Sequence, residues 1–451
     1  MTRDVHAGAL PRPARLPFPR PRSRVGRSGP PGRARDLGHL VPILRDGMLG
    51  VYLRWALDEG DDFVVWAGHV PHVVVVRPDS ARLVLGGSSA FLCNVEPTAN
   101  LFGDGFLRLE GDTWRERRQR FSPTFRRDAL EGAVTVIQEE TDRLVELWRG
   151  RREPFKPTRD LSFTMLSILG RVLFGFAFTE ARHGGKALHR SLITLSTDAV
   201  LRHFLPRPIA WAANHRAVDR ARRFLDAVCG EILDTGADTA FMSALRGGVS
   251  SNAMDRRTAI DELRTFLVAG HETSATALAW TIAEAAAHPE LVAPLRAEAA
   301  SSSRARTPDD VAALEGTARL VKEVMRLHPP VPISISQTVR DTSLGRLDLP
   351  RGTRVDVCSY LLHRLPSIWP DPERVDPERF LTTPAPGTWL PFLMGPHTCL
   401  GMRLAMMDLP LVAARLLHAF ELTLPEGPPQ PNLRLSLHPK GLLIRAVPRS
   451  P

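Results

Sequence analysis

The chain has little cysteine, as little lysine, and no long apolar run. Its four cysteines, Cys93, Cys229, Cys358 and Cys399, are scattered singly with no C-x-x-C pair. That spacing argues against a disulfide framework and structural zinc, and free, mostly buried thiols are the expectation for three of them. No uninterrupted apolar stretch of about 18 residues exists, so no spanning helix is read. No apolar segment precedes a small-residue cleavage site, so no secretory signal is read either. A cytoplasmic protein without a membrane anchor is expected.

Of the 59 basic residues only four are lysines, Lys156, Lys186, Lys322 and Lys440. The 39 prolines are also in excess, and both biases look like coding bias as much as selection for function. What is present is an ordinary globular balance, 43% apolar and 24% charged. That excludes disorder throughout and a disulfide-stapled mini-protein, and it leaves ample material for a large core. Length alone would divide 451 residues into about three domains. The net charge of +10 is unevenly placed, because residues 1–36 hold nine arginines and seven prolines against Asp4 and Asp36. Residues 1–40 are read as a solvated, largely unpacked arm. Contact with nucleic acid or an anionic membrane is the less favoured alternative, and no nucleic-acid partner is expected.

After the arm, Asp62–Ala67 and His72–Val76 read as a hairpin around Gly68-His69-Val70-Pro71. From about Gly111 to His328 apolar residues recur at three and four, a helical pattern. Short strands follow at Ser334–Val339 and Thr353–Ser359. A proline-rich coil from Ser367 to Pro396 leads to a helix from about Gly401 and to C-terminal strands. The pattern predicts a mainly α protein with a minor β part (α+β), its sheet drawn from both chain ends. One helical segment, Arg256 to His288, would run roughly 50 Å. In its middle stands Ala269-Gly270-His271-Glu272-Thr273. Glycine costs about 1 kcal/mol there against alanine, and threonine can bend a helix, so this stretch is expected to line something. A His-Glu-x-x-His zinc site is excluded because Ala275 holds the last place.

In Phe392-Leu393-Met394-Gly395-Pro396-His397-Thr398-Cys399-Leu400-Gly401, a cysteine lies between a Gly/Pro loop and a helix start. Backbone N–H groups at such a start stabilise a thiolate and make it a metal ligand. Gly395 and Gly401 would let the backbone approach a flat cofactor closely. Alone, the stretch would favour a buried free cysteine beside a turn. It is accompanied by Glu323 and Arg326 on one helical face before Pro329-Pro330, and by Pro377-Glu378-Arg379-Phe380. These elements in this order resemble the cytochromes P-450, the haem-thiolate monooxygenases, over nearly the whole chain after the arm.

The resemblance implies one catalytic domain over 41–451, with a long central helix over haem b. It implies Cys399 as the axial thiolate on iron, Phe392 packed beside it, and a buried triad of Glu323, Arg326 and Arg379. Thr273 and Glu272 would deliver protons for oxygen activation, and Gly270 would leave room for dioxygen. Trp114 and Arg118 match the family's Trp-x-x-x-Arg helix and would hold the haem propionates, with His397 where an arginine is commoner. Leu393 departs from the family in standing where a small residue is usual. The segment after Pro332 lacks the arginine of many members, with Ser336 and Gln337 near that place.

Three remaining cysteines are too few for a four-thiolate cluster, and no nucleotide-binding glycine fingerprint follows a strand. Electrons are therefore expected from NAD(P)H through a separate partner, a ferredoxin or flavodoxin with its reductase. Arg115, Arg117, Arg120, Arg126, Arg127 and Arg403 would form the basic face that receives it. By the same resemblance the pocket draws on Phe91–Phe106, Ser191–Trp211, Leu267–Ala269, Val331–Ser336 and the turn near Pro439. Its apolar lining favours a hydrophobic small molecule of secondary metabolism, a terpenoid first, a polyketide or fatty acyl compound second. The alternatives are a peroxide-using or isomerising haem-thiolate enzyme and a non-catalytic haem-binding protein. A monomer is expected.

Overall fold

The structure is a computed structural model that describes residues 38–67, 70–93, 98–179, 186–204 and 207–449. The expected arm thus lies outside the described residues apart from its last three. Of these, His39 is buried; its N–H donates to the Trp66 carbonyl at 2.7 Å and its Nδ1 accepts from Trp66 N at 3.0 Å.

The central helix, Arg256–Ala287, is 32 residues long and organises the helical body. Asp255 caps its start by accepting from Thr258 N at 2.7 Å. Apolar residues such as Leu263, Val268, Ala283 and Trp280 are buried around its circumference, as expected of a helix enclosed by others. Its neighbours are the helices Thr158–Phe174, Arg207–Thr235, Glu315–Leu327 and Met402–Ala419. Gly270 serves this packing. A side chain there would meet Leu169 Cδ1 at 2.8 Å, so the glycine lets two helices approach. Gly270 is itself partly accessible, so this contact with one leucine side chain leaves its expected role beside dioxygen as it stood.

The main sheet has the order Phe63–Ala67, Val70–Val75, Arg354–Val357, Ser334–Thr338, Phe91–Cys93. Only the pairing of Val70–Val75 with Arg354–Val357 is parallel. Val70 and Pro71 belong to a strand rather than to the turn, since Ala67 already pairs with Val70; Gly68 and His69 lie outside the described residues. The strand Arg354–Val357 is followed by a short helix, Ser359–Leu362. The sheet therefore joins the N-terminal strands to residues 334–357, not to the end of the chain. The C-terminal strands form two separate pairs, Phe420–Thr423 with Arg445–Pro448 and Gln430–Leu433 with Leu437–Lys440. Phe420 and Leu422 bury themselves against the helical body, whereas Val73, Val75, Val355 and Val357 pack together on the sheet. The fold is mainly α with a minor β part. Among the described residues, no helix is long and apolar enough to cross a membrane.

Candidate active site

The helix Glu315–Leu327 carries the anchor behind the cysteine loop. Glu323 and Arg326 are fully buried, and Arg326 grips the carboxylate with two hydrogen bonds of 2.7 and 2.8 Å. Arg379 Nε lies 3.5 Å from Glu323 Oε1, and Asp376 N donates to the same oxygen at 2.8 Å. The structure thus brings the three expected residues together. It also adds His363, which the sequence reading missed. His363 lies 2.9 Å from the Arg326 carbonyl through Nδ1 and accepts from Leu390 N at 2.8 Å through Nε2. Those two contacts require the neutral tautomer with its proton on Nδ1. Burial agrees, lowering the His363 pKa to about 3. His363 thereby ties the Glu-x-x-Arg helix to the segment that enters the cysteine loop.

The loop closes on itself when Cys399 N donates to the Phe392 carbonyl at 2.9 Å. Leu393 sits at φ 58°, the left-handed region, which explains why a small residue suits that place. Gly395 is also left-handed, at φ 70°, and an added side chain would collide with the Leu85 carbonyl. Close approach to Leu85–Gly86 therefore requires this glycine. Gly401 is different, because a Cβ there would face Cys399 Sγ at 3.9 Å.

Cys229 and Cys358 are buried and their thiols are pushed up to about 12. Cys399 is solvent-accessible, yet burial among protein atoms also raises its pKa, against the backbone N–H of Gly401, Arg118 and the N–H of Met402. Desolvation thus outweighs the helix-start donors that would favour the thiolate, and a bound cation would favour it. Among the described residues, no group of three His, Cys, Asp or Glu side chains is placed to hold a metal ion. A metal on Cys399 must bring its other ligands with it.

The central helix supplies the opposite wall. Within its buried middle, Phe266, Ala269, Gly270 and Thr273 are partly accessible, a spacing of three, four and seven that defines one stripe. Stacked rings connect that stripe to the cysteine loop. Phe266 and Phe106 are 6.1 Å apart, Phe106 and Trp114 6.2 Å, and Trp114 and His397 4.3 Å. Arg118 lies over Trp114 and donates to the Thr398 carbonyl at 2.9 Å. Trp114, Arg118 and His397 are thus gathered beside Cys399, and their N–H groups suit an anion such as a propionate. His397 Nε2 is also 3.6 Å from Glu110 Oε2, which leaves Trp114 and Arg118 the better-placed donors. The accessible Cys399 thiol, with the Arg118 guanidinium and the N–H groups of Trp114 and His397 beside it, fits haem. Gln337 donates to the Gly352 carbonyl at 3.0 Å, and Ser336 is buried in the sheet.

Thr273 Oγ1 donates to the Ala269 carbonyl at 2.6 Å. The Glu272 carboxylate turns toward the C-terminal hairpin, where Ser436 Oγ and His438 Nε2 lie 3.0 and 3.2 Å from its Oε1. Ser436 and His438 were missed because no local pattern marks them. The basic face also needs correction. On the helix Gly111–Phe121 the buried positions are Trp114, Arg117 and Phe121, so Arg117 points inward, 3.4 Å from Glu262. Arg115, Arg120 and Arg127 pair with Asp112, Glu116 and Asp309, and Arg126 and Arg403 are exposed, as are Arg115 and Arg127.

A sequence model of the family described as "Cytochrome P450" matches residues 29–446 of this chain. The chain is 29% identical to cyclooctat-9-en-7-ol 5-monooxygenase of Streptomyces melanosporofaciens, over 86% of this chain and 87% of that protein. It is 27% identical to cytochrome P450 4F12 of Homo sapiens, over 93% and 89% of the two chains. It is also 27% identical to a cytokinin hydroxylase of Arabidopsis thaliana, over 84% and 79%.

Proposed function

We propose, for a chain that belongs to the cytochrome P450 family and is a P450 monooxygenase, that Cys399 would hold the iron of haem b and that Thr273 and Glu272 would deliver protons from the central helix. The observation that carries this reading is the accessible Cys399 thiol, joined by the Phe266–Phe106–Trp114–His397 rings to the accessible stripe of the central helix. When bound, haem supplies oxygen activation, and a thiolate ligand favours O–O cleavage. Trp114, Arg118 and His397 would hold its propionates. Phe392 would pack beside the thiolate and help exclude water. Glu272, ionised at rest, would take up a proton at Oε1 and pass it to the Thr273 hydroxyl.

The substrate is a hydrophobic small molecule, a terpenoid before a polyketide or fatty acyl compound. The apolar side chains of Phe102, Phe106, Phe266 and Ala269 support that class, as does a relative named for the oxidation of cyclooctat-9-en-7-ol. Electrons pass from NAD(P)H through a reductase and a ferredoxin or flavodoxin to a monomeric, cytoplasmic enzyme. Exposed Arg126 and Arg403, and a 390 Å³ depression lined by Phe392, Met402 and Arg403, support docking behind the cysteine loop. The acid–alcohol pair favours this reading over peroxide use or isomerisation.

The test is spectroscopic first. The reduced protein with carbon monoxide should show the red-shifted Soret band of thiolate ligation. Cys399→Ser should lose it, and Cys229→Ser and Cys358→Ser should keep it; the reverse result overturns the assignment. Thr273→Ala should then divert NAD(P)H from product to hydrogen peroxide, measured with a hydrocarbon substrate lacking hydroxyl groups. Unchanged coupling would remove Thr273 from the proton path.

A further inference from the structure

Ser436 and His438 stand more than 160 residues from Glu272 in sequence, yet the tertiary structure sets both against its carboxylate. The hairpin that carries them is pinned to the central helix, because Trp280 Nε1 donates to the Leu437 carbonyl at 2.6 Å. Leu437 N also donates to the Pro330 carbonyl at 3.0 Å. Both residues converge on one carboxylate oxygen, Oε1, at 3.0 Å for Ser436 Oγ and 3.2 Å for His438 Nε2. Ser436 Oγ is 3.1 Å from His438 Nε2 and 3.2 Å from Thr276 Oγ1, which is in turn 3.5 Å from His438 Nδ1. Every polar atom of the imidazole therefore has a partner in the cluster. Exposure falls inward along it, from 30% for the His438 side chain to 15% for that of Glu272.

Such a cluster is built differently from a structural ion pair. An arginine would fix the charge of Glu272 permanently, whereas an imidazole can carry a proton and release it near neutral pH. We propose that His438 is a positioning residue that aims Glu272 and reloads it with protons from solvent, with Ser436 and Thr276 holding the two side chains in register. This rests on the reading of Glu272 and Thr273 as the proton-delivery pair. In the reloading step the imidazolium Nε2–H bond breaks and an O–H bond forms at Glu272 Oε1. A neutral imidazole and a carboxylic acid result, and the imidazole recovers its proton from a solvent hydronium ion. The surroundings agree with a carboxylate that must be reloaded. Burial pushes Glu272 up, but the hydrogen bond from His438, the fields of His271 and His438, and the Ser436 hydroxyl together hold it below its usual value. His438 comes from the hairpin and His271 from Glu272's own helix. On the packed helix Thr158–Phe174, Ser162 Oγ lies 3.3 Å from His271 Nε2.

The decisive variants are His438→Gln, which keeps an N–H donor but cannot titrate, and His438→Ala, which keeps neither property. In the haem-loaded resting protein, the carboxylic-acid infrared band of Glu272 can be assigned by its loss in Glu272→Gln. That band should appear at higher pH in both His438 variants than in the parent, by about one pH unit or more in His438→Ala. With a surrogate ferredoxin system and a hydroxyl-free hydrocarbon, His438→Gln should slow coupled turnover about tenfold and flatten its pH profile. The carbon monoxide band serves as the check on folding. If His438→Gln retains the parental infrared titration and pH profile while Thr273→Ala uncouples, His438 is not the proton feeder although the acid–alcohol reading stands. If Thr273→Ala and Glu272→Gln both leave coupling unchanged, that underlying reading fails, whatever the His438 variants do.

Discussion

Glu323 and Glu272 both lie on helices at the heart of the molecule, but Glu323 meets two guanidinium groups and Glu272 an imidazole and a hydroxyl. Around Glu323 the partners cannot give up their charge, and backbone groups complete the cluster through Asp376 N and the His363 carbonyl. This is an anchor, satisfied in a single charge state. Around Glu272 every partner can donate, accept or change protonation, and the His438 side chain is more accessible than that of Glu272. The difference separates a carboxylate that holds a loop from one that can move a proton. Glu262 is a third case, fully buried with Arg117 at 3.4 Å and Phe106 N donating at 2.9 Å.

The comparison can be broken most sharply at Glu323. Glu323→Gln strands Arg326 and Arg379 without their buried counter-charge, and should cost about 3–5 kcal/mol of stability. Loss of the carbon monoxide band should accompany the lower thermal midpoint. A variant with parental stability and intact band would show that the cluster is no anchor.

Glu262 sharpens the third case through pH. Burial raises its carboxyl from the usual 4.5 to about 7 despite Phe106 N and Arg117. The folded protein therefore keeps a proton that the unfolded chain has already released. Between about pH 4.5 and 7 stability should fall as pH rises, by on the order of 1–3 kcal/mol. Glu262→Gln should flatten that part of a profile of thermal midpoint against pH; an unchanged slope assigns it to other groups.

Glu272→Gln should be milder for the fold. Its amide can still meet Ser436 and His438, so the change in unfolding free energy should stay within about 1.5 kcal/mol while coupled turnover falls. A stability loss as large as that of Glu323→Gln would erase the distinction between the two carboxylates. The smallest effect is expected at Leu393. Relief of its left-handed backbone in Leu393→Gly should add up to about 1 kcal/mol, visible as a raised midpoint in denaturant. A lowered midpoint would mean that Leu393's packing beside Leu390 outweighs the strain.

The anchor was far more legible in the sequence than the relay. Glu323 and Arg326 lie one helical turn apart, so their spacing alone sets them on one face, and Arg379 is marked by its Pro-Glu-x-Phe surroundings. His363 escaped notice because its role is to join two backbone segments, Arg326 O and Leu390 N, which carry no sequence signal. Arg117 was misread for a related reason. Composition counts it among surface arginines, but three residues after Trp114 it shares the helix's inward face.

By itself the sequence determined what short-range geometry dictates. That includes the long central helix with its polar middle, the Glu-x-x-Arg face, the cysteine at a loop-to-helix junction, and the mainly helical class. Helical periodicity and the conformational limits of Gly and Pro act over a few residues and leave visible patterns. Only the tertiary structure decided that Gly395 packs against the Leu85 carbonyl, that the C-terminal strands leave the main sheet, and that Ser436 and His438 close on Glu272. Those outcomes depend on which surfaces meet after some 160 residues of intervening chain have been packed. Contacts at that separation are selected by the burial of whole elements, and one residue's identity says little about its partner.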